Sequence, residues 1–262
     1  MTIWAWPAIV FGAVLFTATA VRRRYGLALG FAGYAIGAAL LSGVASGPVR
    51  FAAPLAALVI GYWLTKPFYT SPSPRLETWL LRYDEAMQID RISAGMPGWA
   101  KALVEIAYLG AYPFMVVAAI PAFAASRDAF AWHWAMVLAA ELSCYVTLPW
   151  LQARPPRENG DRPHFFAKRK NGVCPHFLRR LNEALLDRLS VRATTIPSGH
   201  VAGPIAAALS IWMIAPAWGP WLLAGALAIA AATVIGRYHY AIDAVLGLAV
   251  GAAPPAIRWF WT

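Results

Sequence analysis

Two histidines, one aspartate and a few arginines stand at the ends of apolar stretches, where a polar side chain needs a reason to be. The run Thr-Thr-Ile-Pro-Ser-Gly-His (194–200) opens one such stretch. Ser198 suits the position before a helix, and Gly199 lets another backbone approach closely. The free N–H groups of a helix N-terminus bind phosphate oxygens well. Taken alone, this segment fits a plain cap as readily as an anion site with His200 beside it. The second cluster is Arg-Tyr-His-Tyr-Ala-Ile-Asp (237–243). Asp243 follows His239 by four residues, so a helix would place both on one face. A carboxylate inside a membrane faces the protein interior or a polar cavity. Holding one imidazole nitrogen, it leaves the other free as a base or nucleophile. The plainer reading is a buried pair that ties helices together. The third cluster is Ala-Arg-Pro-Pro-Arg-Glu (153–158). The planar forks of Arg154 and Arg157 match phosphate oxygens, although basic residues also flank membrane spans for topological reasons. His133, between two tryptophans, reads as an interfacial residue. His164 and His176 read as loop residues.

The elements that must position these residues are apolar. Of the 262 residues, 60% are hydrophobic and 13% are charged, against about a quarter charged in soluble domains. The mean hydropathy is +0.54. Thirteen Trp and ten Tyr suit a chain that crosses two membrane–water interfaces. A span needs about 20 mostly apolar residues. Eight segments qualify: 3–20, 26–45, 49–65, 99–124, 128–150, 199–216, 218–236 and 239–258. The expected fold is therefore all-α, a polytopic transmembrane helix bundle of about eight spans. Residues 1–65 form N-terminal transmembrane helices. Residues 66–98 form an interfacial connection, in which Leu76, Trp79, Leu80, Tyr83 and Met87 make one apolar stripe, with Glu77, Arg82, Asp84 and Glu85 mostly off it. In the loop 153–195, Phe177, Leu181, Leu185 and Leu189 repeat that pattern. Two spans separate His200 from His239, which returns the chain to the same side. Arg154, Arg157, His200, His239 and Asp243 can thus meet at one membrane face.

The formal net charge is +10, and residues 153–195 hold ten of the 22 Lys and Arg. A basic patch beside spans meets anionic lipid or a phosphorylated headgroup, and no motif for nucleic acid is present. Cys144 and Cys174 have no ligand spacing and read as unpaired thiols. No positive charge precedes the first apolar run and Arg22, Arg23 and Arg24 follow it, which fits a retained span and not a signal peptide. Glu105 and Glu141 fall inside expected spans. Beside a phosphate site they would repel substrate, so they read as structural pairs or contacts to a polar headgroup. A transporter with an acidic relay through Glu105, Glu141 and Asp243, or an inactive scaffold, are the readings from other classes. Neither accounts for Pro-Ser-Gly-His.

In this order and at these span ends, the three clusters resemble the type 2 phosphatidic acid phosphatase superfamily, nearest its branch with inositol phosphorylceramide synthases. The resemblance covers about residues 99–258 and implies a six-helix-type phosphatase core toward the C-terminal side, with 99–262 as the catalytic unit. It implies His239 as the nucleophile that forms a phosphohistidine, Asp243 as the holder of its ring, and His200 as general acid and then base. It implies Ser198 and Gly199, with Arg154 or Arg157, on the phosphate oxygens, and a metal-independent hydrolase or phosphotransferase without a cofactor. Two of the family's positions differ. The lysine seven residues before the first-motif arginine is here Thr147 or Trp150, and the arginine six residues before the third-motif histidine is Thr233. The nearest arginine is Arg237, which on a continuous helix would point about 200° away from His239 and so can bind the phosphate only if the helix starts after it. Lys168, Arg169, Lys170 or Arg192 could stand in for the lysine.

The implied partners are the bilayer and a lipid or polyprenyl phosphate or diphosphate. Transfer of a phospho-headgroup to a lipid alcohol is the alternative to hydrolysis, because both use the same residues. The implied location is a multi-pass protein of the bacterial inner or plasma membrane. The positive-inside rule puts Arg22–Arg24 and the loop 153–195 in the cytoplasm, whereas the resemblance implies the opposite face. Phosphoryl transfer needs positioning and positive charge, which arginine and imidazole can supply. Activity is therefore expected to survive EDTA unchanged, and loss of turnover in the chelator would contradict this chemistry.

Overall fold

The computed structural model describes residues 1–43, 47–158, 176–191 and 193–261. Among these the chain is all-helical; the one extended pairing is a single bridge between Ala153 and Thr194. The helices are α1 (Ala5–Val21), α2 (Tyr25–Leu41), α3 (Gly47–Leu64), α4 (Pro74–Ala86), α5 (Ile89–Gly95), α6 (Gly98–Ala125), α7 (Arg127–Tyr145), α8 (His176–Leu189), α9 (Gly199–Ile214), α10 (Gly219–Ile235) and α11 (Ala241–Trp261). Each segment expected to span coincides with one of α1, α2, α3, α6, α7, α9, α10 and α11. Four stretches, 47–68, 98–125, 216–235 and 241–258, are long and apolar enough to cross a membrane. The shorter helices α1, α2 and α9 are also apolar. Lys168, Arg169, Lys170, Arg192, His164 and Cys174 lie outside the described residues.

Two boundaries differ from expectation and both matter. α7 stops at Tyr145, not at 150. Pro149 lacks an N–H and disfavours helix in the residue before it, so 146–150 form turns. α11 starts at Ala241, so His239 precedes the helix and shares no helix face with Asp243.

One end of the bundle gathers the polar segments that carry the candidate site. Ser73 N–H donates to the Gln152 carbonyl, Arg157 N–H to the Arg237 carbonyl and Ser198 N–H to the Asp243 carbonyl. Arg22 lies over the Trp150 ring, and an Arg24 Nη donates to the Pro67 carbonyl at 3.2 Å. Residues 22–24 therefore share this end with the segments that carry the candidate site.

α9 is the central post, in contact with α6, α7, α10 and α11. Between apolar helices in lipid, close packing takes over from the hydrophobic effect, and small residues set how near two backbones come. Ala202, Gly203, Ala206, Ala207 and Ala208 are all buried on α9. A Cβ at Gly251 would sit 2.5 Å from the Ala202 carbonyl oxygen, and one at Gly247 would sit 2.8 Å from that of Ser198. α11 thus rests directly on the α9 backbone, one turn from Asp243. By contrast Gly33 on α2 faces open space.

The two amphipathic helices turn polar side chains toward the protein. On α4 the carboxylates Glu77 and Asp84 are buried with Leu80, and Trp79, Tyr83 and Met87 are exposed. On α8 the inner face is Asn182 and Leu186, with Phe177 and Leu181 outward. Part of each apolar stripe thus faces away from the protein, and Leu80 of the α4 stripe faces in. Gly251→Ala should destabilise the folded protein by about 1–3 kcal/mol through overpacking against backbone, while Gly33→Ala should be neutral. Thermal melts in one detergent check both, and equal melts would mean that the α9–α11 contact is loose.

Candidate functional site

A cavity of about 220 Å³ lies under the polar end, walled by α3, α6, α7 and α9. His200, His239, Arg157, Thr194 and Tyr238 line its upper part; Leu55, Leu58 and Met115 line the rest. At the end far from the site Phe51 of α3 packs on Phe123 of α6 at 5.3 Å, and nearer the site both helices line the cavity. α8 lines it too, through Leu186 and Leu189. At one side Arg179 and Asn182 of α8 donate to the buried Glu105 of α6, at 3.3 and 2.5 Å. At the other, the Trp63 indole donates to the Leu189 carbonyl, and the Tyr62 oxygen accepts from Val191 N–H.

His239 and Asp243 come together through a residue that spacing did not single out. His239 Nδ1 is 2.8 Å from Thr194 Oγ1, which donates to Asp243 Oδ2 at 3.0 Å. The direct Nδ1–Oδ2 distance is 3.5 Å. Thr194 has one hydroxyl proton. With that proton on the carboxylate bond, Nδ1 must carry the ring proton and donate to Thr194, which leaves Nε2 with a free lone pair. The Thr194 backbone is pinned by its bridge to Ala153. Tyr240 N–H also binds Asp243 Oδ2, while Oδ1 is buried without a partner. Such a carboxylate is underpaired while His239 is neutral and gains most when the ring becomes cationic. Burial, and then the Arg157 guanidinium, push the His239 imidazole well below its ordinary range, so the neutral ring is the resting form.

His200 faces His239 with ring centroids 5.6 Å apart. It stacks on Tyr108, which in turn stacks on Tyr238 at 3.6 Å. Tyr238 donates to Glu105 at 2.5 Å. The two histidines are thus set by one aromatic column anchored on a buried acid, and Glu105 has the pairing role that its position suggested.

The expected phosphate-binding residues separate into two groups. Arg157 lines the cavity, with its guanidinium 5.5 Å from the Tyr238 ring. Arg154 points to α4, where its Nε and Nη2 bind Glu77 at 3.1 and 2.9 Å. Burial alone would raise the Glu77 carboxyl, but the bonds from Arg154 hold it below the usual range. Arg237 also turns to that region, with Nη1 at 2.6 Å from Asp84 and Nε at 3.2 Å from Asp90. It occupies the left-handed region at φ 63°, between α10 and α11, so the orientation of a continuous helix does not apply. Asp84 caps α11 by accepting from Ala241 N–H at 2.8 Å. Burial raises its carboxyl despite that bond and Arg237. The Ser198 hydroxyl is buried and unpartnered and does not cap α9. The Gly199 N–H is taken by Thr195 Oγ1 at 3.1 Å, and the Tyr145 ring covers the glycine. Neither Ser198 nor Gly199 lines the cavity.

His133 is no interfacial residue. It is fully buried and bonds Ser210 at 2.7 Å between α7 and α9. Cys144 is a buried free thiol.

A neutral imidazole with one bare nitrogen, a second imidazole across from it and a guanidinium between helices suit nucleophilic capture of an anionic electrophile. Comparison of the chain with protein-family models, with curated proteins and with solved structures finds no match. Thr194→Val keeps the shape and removes the bridging hydroxyl. It should lower kcat on a lipid phosphate about tenfold or more with KM little changed, and Thr194→Ser should restore it. An unchanged kcat in the valine variant would mean that the 3.5 Å contact alone suffices.

Proposed function

We propose that this chain is an eight-span membrane enzyme that hydrolyses or transfers the phosphoryl group of a lipid or polyprenyl phosphate or diphosphate through a phosphohistidine. The observation that supports it most is the His239–Thr194–Asp243 relay facing His200 across a cavity that also holds Arg157. In this reading the Nε2 lone pair attacks phosphorus and the bond to the leaving oxygen breaks. His200 passes a proton from the monoanionic phosphate to that oxygen. Arg157 binds the equatorial oxygens, and the Asp243 carboxylate balances the charge of the imidazolium. His200, neutral again, takes a proton from water or an alcohol, whose oxygen attacks phosphorus. The N–P electron pair returns to His239. Positioning and charge do most of the work in such a transfer.

The resemblance of the three clusters to type 2 phosphatidic acid phosphatases points the same way, as does the apolar part of the cavity lining, Leu55, Leu58 and Met115, which suits a substrate with hydrocarbon chains. The relay-transporter alternative is weakened by Glu105, which is held by Arg179, Asn182 and Tyr238. Arg154 and Arg237 serve in this reading as struts between the site loops and α4, and Arg157 as the phosphate ligand.

The test uses the purified protein in detergent with phosphatidate, a polyprenyl diphosphate, and phosphatidylinositol with ceramide. Free phosphate and new phospholipid are both followed. His239→Ala and Asp243→Asn should each abolish turnover or reduce it at least a hundredfold while the melting profile stays near wild type. Full activity in His239→Ala removes the proposed nucleophile.

A further inference from the structure

The mechanism above leaves the one acid of the cavity lining unused. Glu141 of α7 lines the cavity and is nine-tenths buried. The Tyr145 hydroxyl donates to its Oε2, and Oε1 has no hydrogen-bond partner among the described residues. The side chain lies against Gly203, where even a Cβ would collide with Oε1. Glu141 is therefore built into the α7–α9 contact at the level of Gly203, one turn below His200. At 1.5 Å per residue those three residues put it about 4.5 Å farther from the polar end. The cavity lining includes Leu58, Met115 and Pro204 beside Tyr62 and Tyr145. A carboxylate oxygen left bare in such surroundings is costly unless a donor meets it.

We propose that Glu141 is a specificity residue that accepts a hydrogen bond from a free hydroxyl of the substrate, on the carbon next to the phosphoester carbon. This rests on the phosphoryl-transfer reading and narrows its substrate to a single-chain lipid phosphate with a hydroxyl at that position. With the phosphate between His239 and Arg157 at the top, the glycerol part of such a lipid descends past His200, and its hydroxyl reaches the depth of Oε1. The chain then runs between α3 and α6, which both line the cavity. A diacyl lipid puts an ester at the same position. The ester offers no donor and adds a second chain. A carboxylate built to bind a hydroxyl discriminates strongly against an analogue that lacks it, because the oxygen is left bare.

The experiment compares 1-oleoyl-glycerol 3-phosphate, its 2-O-methyl ether and dioleoyl phosphatidate on the full chain in nanodiscs. Turnover is measured with wild type, Glu141→Gln and Glu141→Leu, and binding of the three lipids with His239→Ala. Wild-type kcat/KM should favour the free hydroxyl over its methyl ether about tenfold or more, and Glu141→Leu should remove that preference. Glu141→Gln keeps an acceptor oxygen and should retain part of it. Equal kcat/KM for alcohol and ether in the wild type overturns the proposal and leaves the phosphoryl-transfer reading standing. That comparison does not depend on any variant folding. No turnover of any lipid, with binding to His239→Ala still tenfold tighter for the alcohol, supports the subsite and removes the chemistry. No turnover and no preference in binding overturns the subsite as well.

Discussion

The candidate site depends first on how close α11 lies to α9. With Gly247 and Gly251 against the α9 backbone, the start of one helix meets the start of the other, and Ser198 N–H bonds the Asp243 carbonyl. That contact brings the segment before α9, which holds Thr194, to the segment before α11, which holds His239. A side chain on either glycine would wedge them apart by more than a hydrogen bond tolerates. The polar relay is thus held by an apolar contact, which suits a medium where water cannot assist alignment.

Charge is distributed by the same economy. The polar end carries many cations, yet few face the cavity. Glu77 takes Arg154, and Asp84 with Asp90 takes Arg237. Each pair joins α4 or α5 to a loop of the site, so the interfacial connection acts as a brace as well as a membrane contact. Arg157 makes its ion pair with the neighbouring Glu158, at 3.1 Å, while its side chain stays on the cavity wall. In this arrangement three arginines that look alike in the sequence have two kinds of work.

The helices were legible because apolar runs of sufficient length have few other fates, and all eight expected segments are helical. The meeting of His200, His239 and Arg157 at one end followed from counting spans. What spacing could not give was orientation. A stripe of Trp79, Tyr83 and Met87 looks the same whether it meets lipid or protein; the burial of Glu77 and Asp84 is decided by cations 70 or more residues away. Thr194 was invisible for a related reason. Its partners are 45 and 49 residues distant, and a threonine before a proline-containing turn carries no periodic signal. The four-residue spacing of His239 and Asp243 suggested the right pair through the wrong geometry. They meet across a helix start, by way of a third side chain.

In the proposed function the cavity, lined by α3 and α6, takes its substrate from the surrounding lipid. A ligand that arrives through the side of the bundle diffuses in two dimensions, and its effective concentration is its mole fraction among the surrounding lipids. Diluting a suspension of membranes leaves that quantity unchanged, whereas adding inert lipid or detergent to the same surface lowers it. A protein built this way responds to the make-up of its own leaflet and is blind to the volume of water around it.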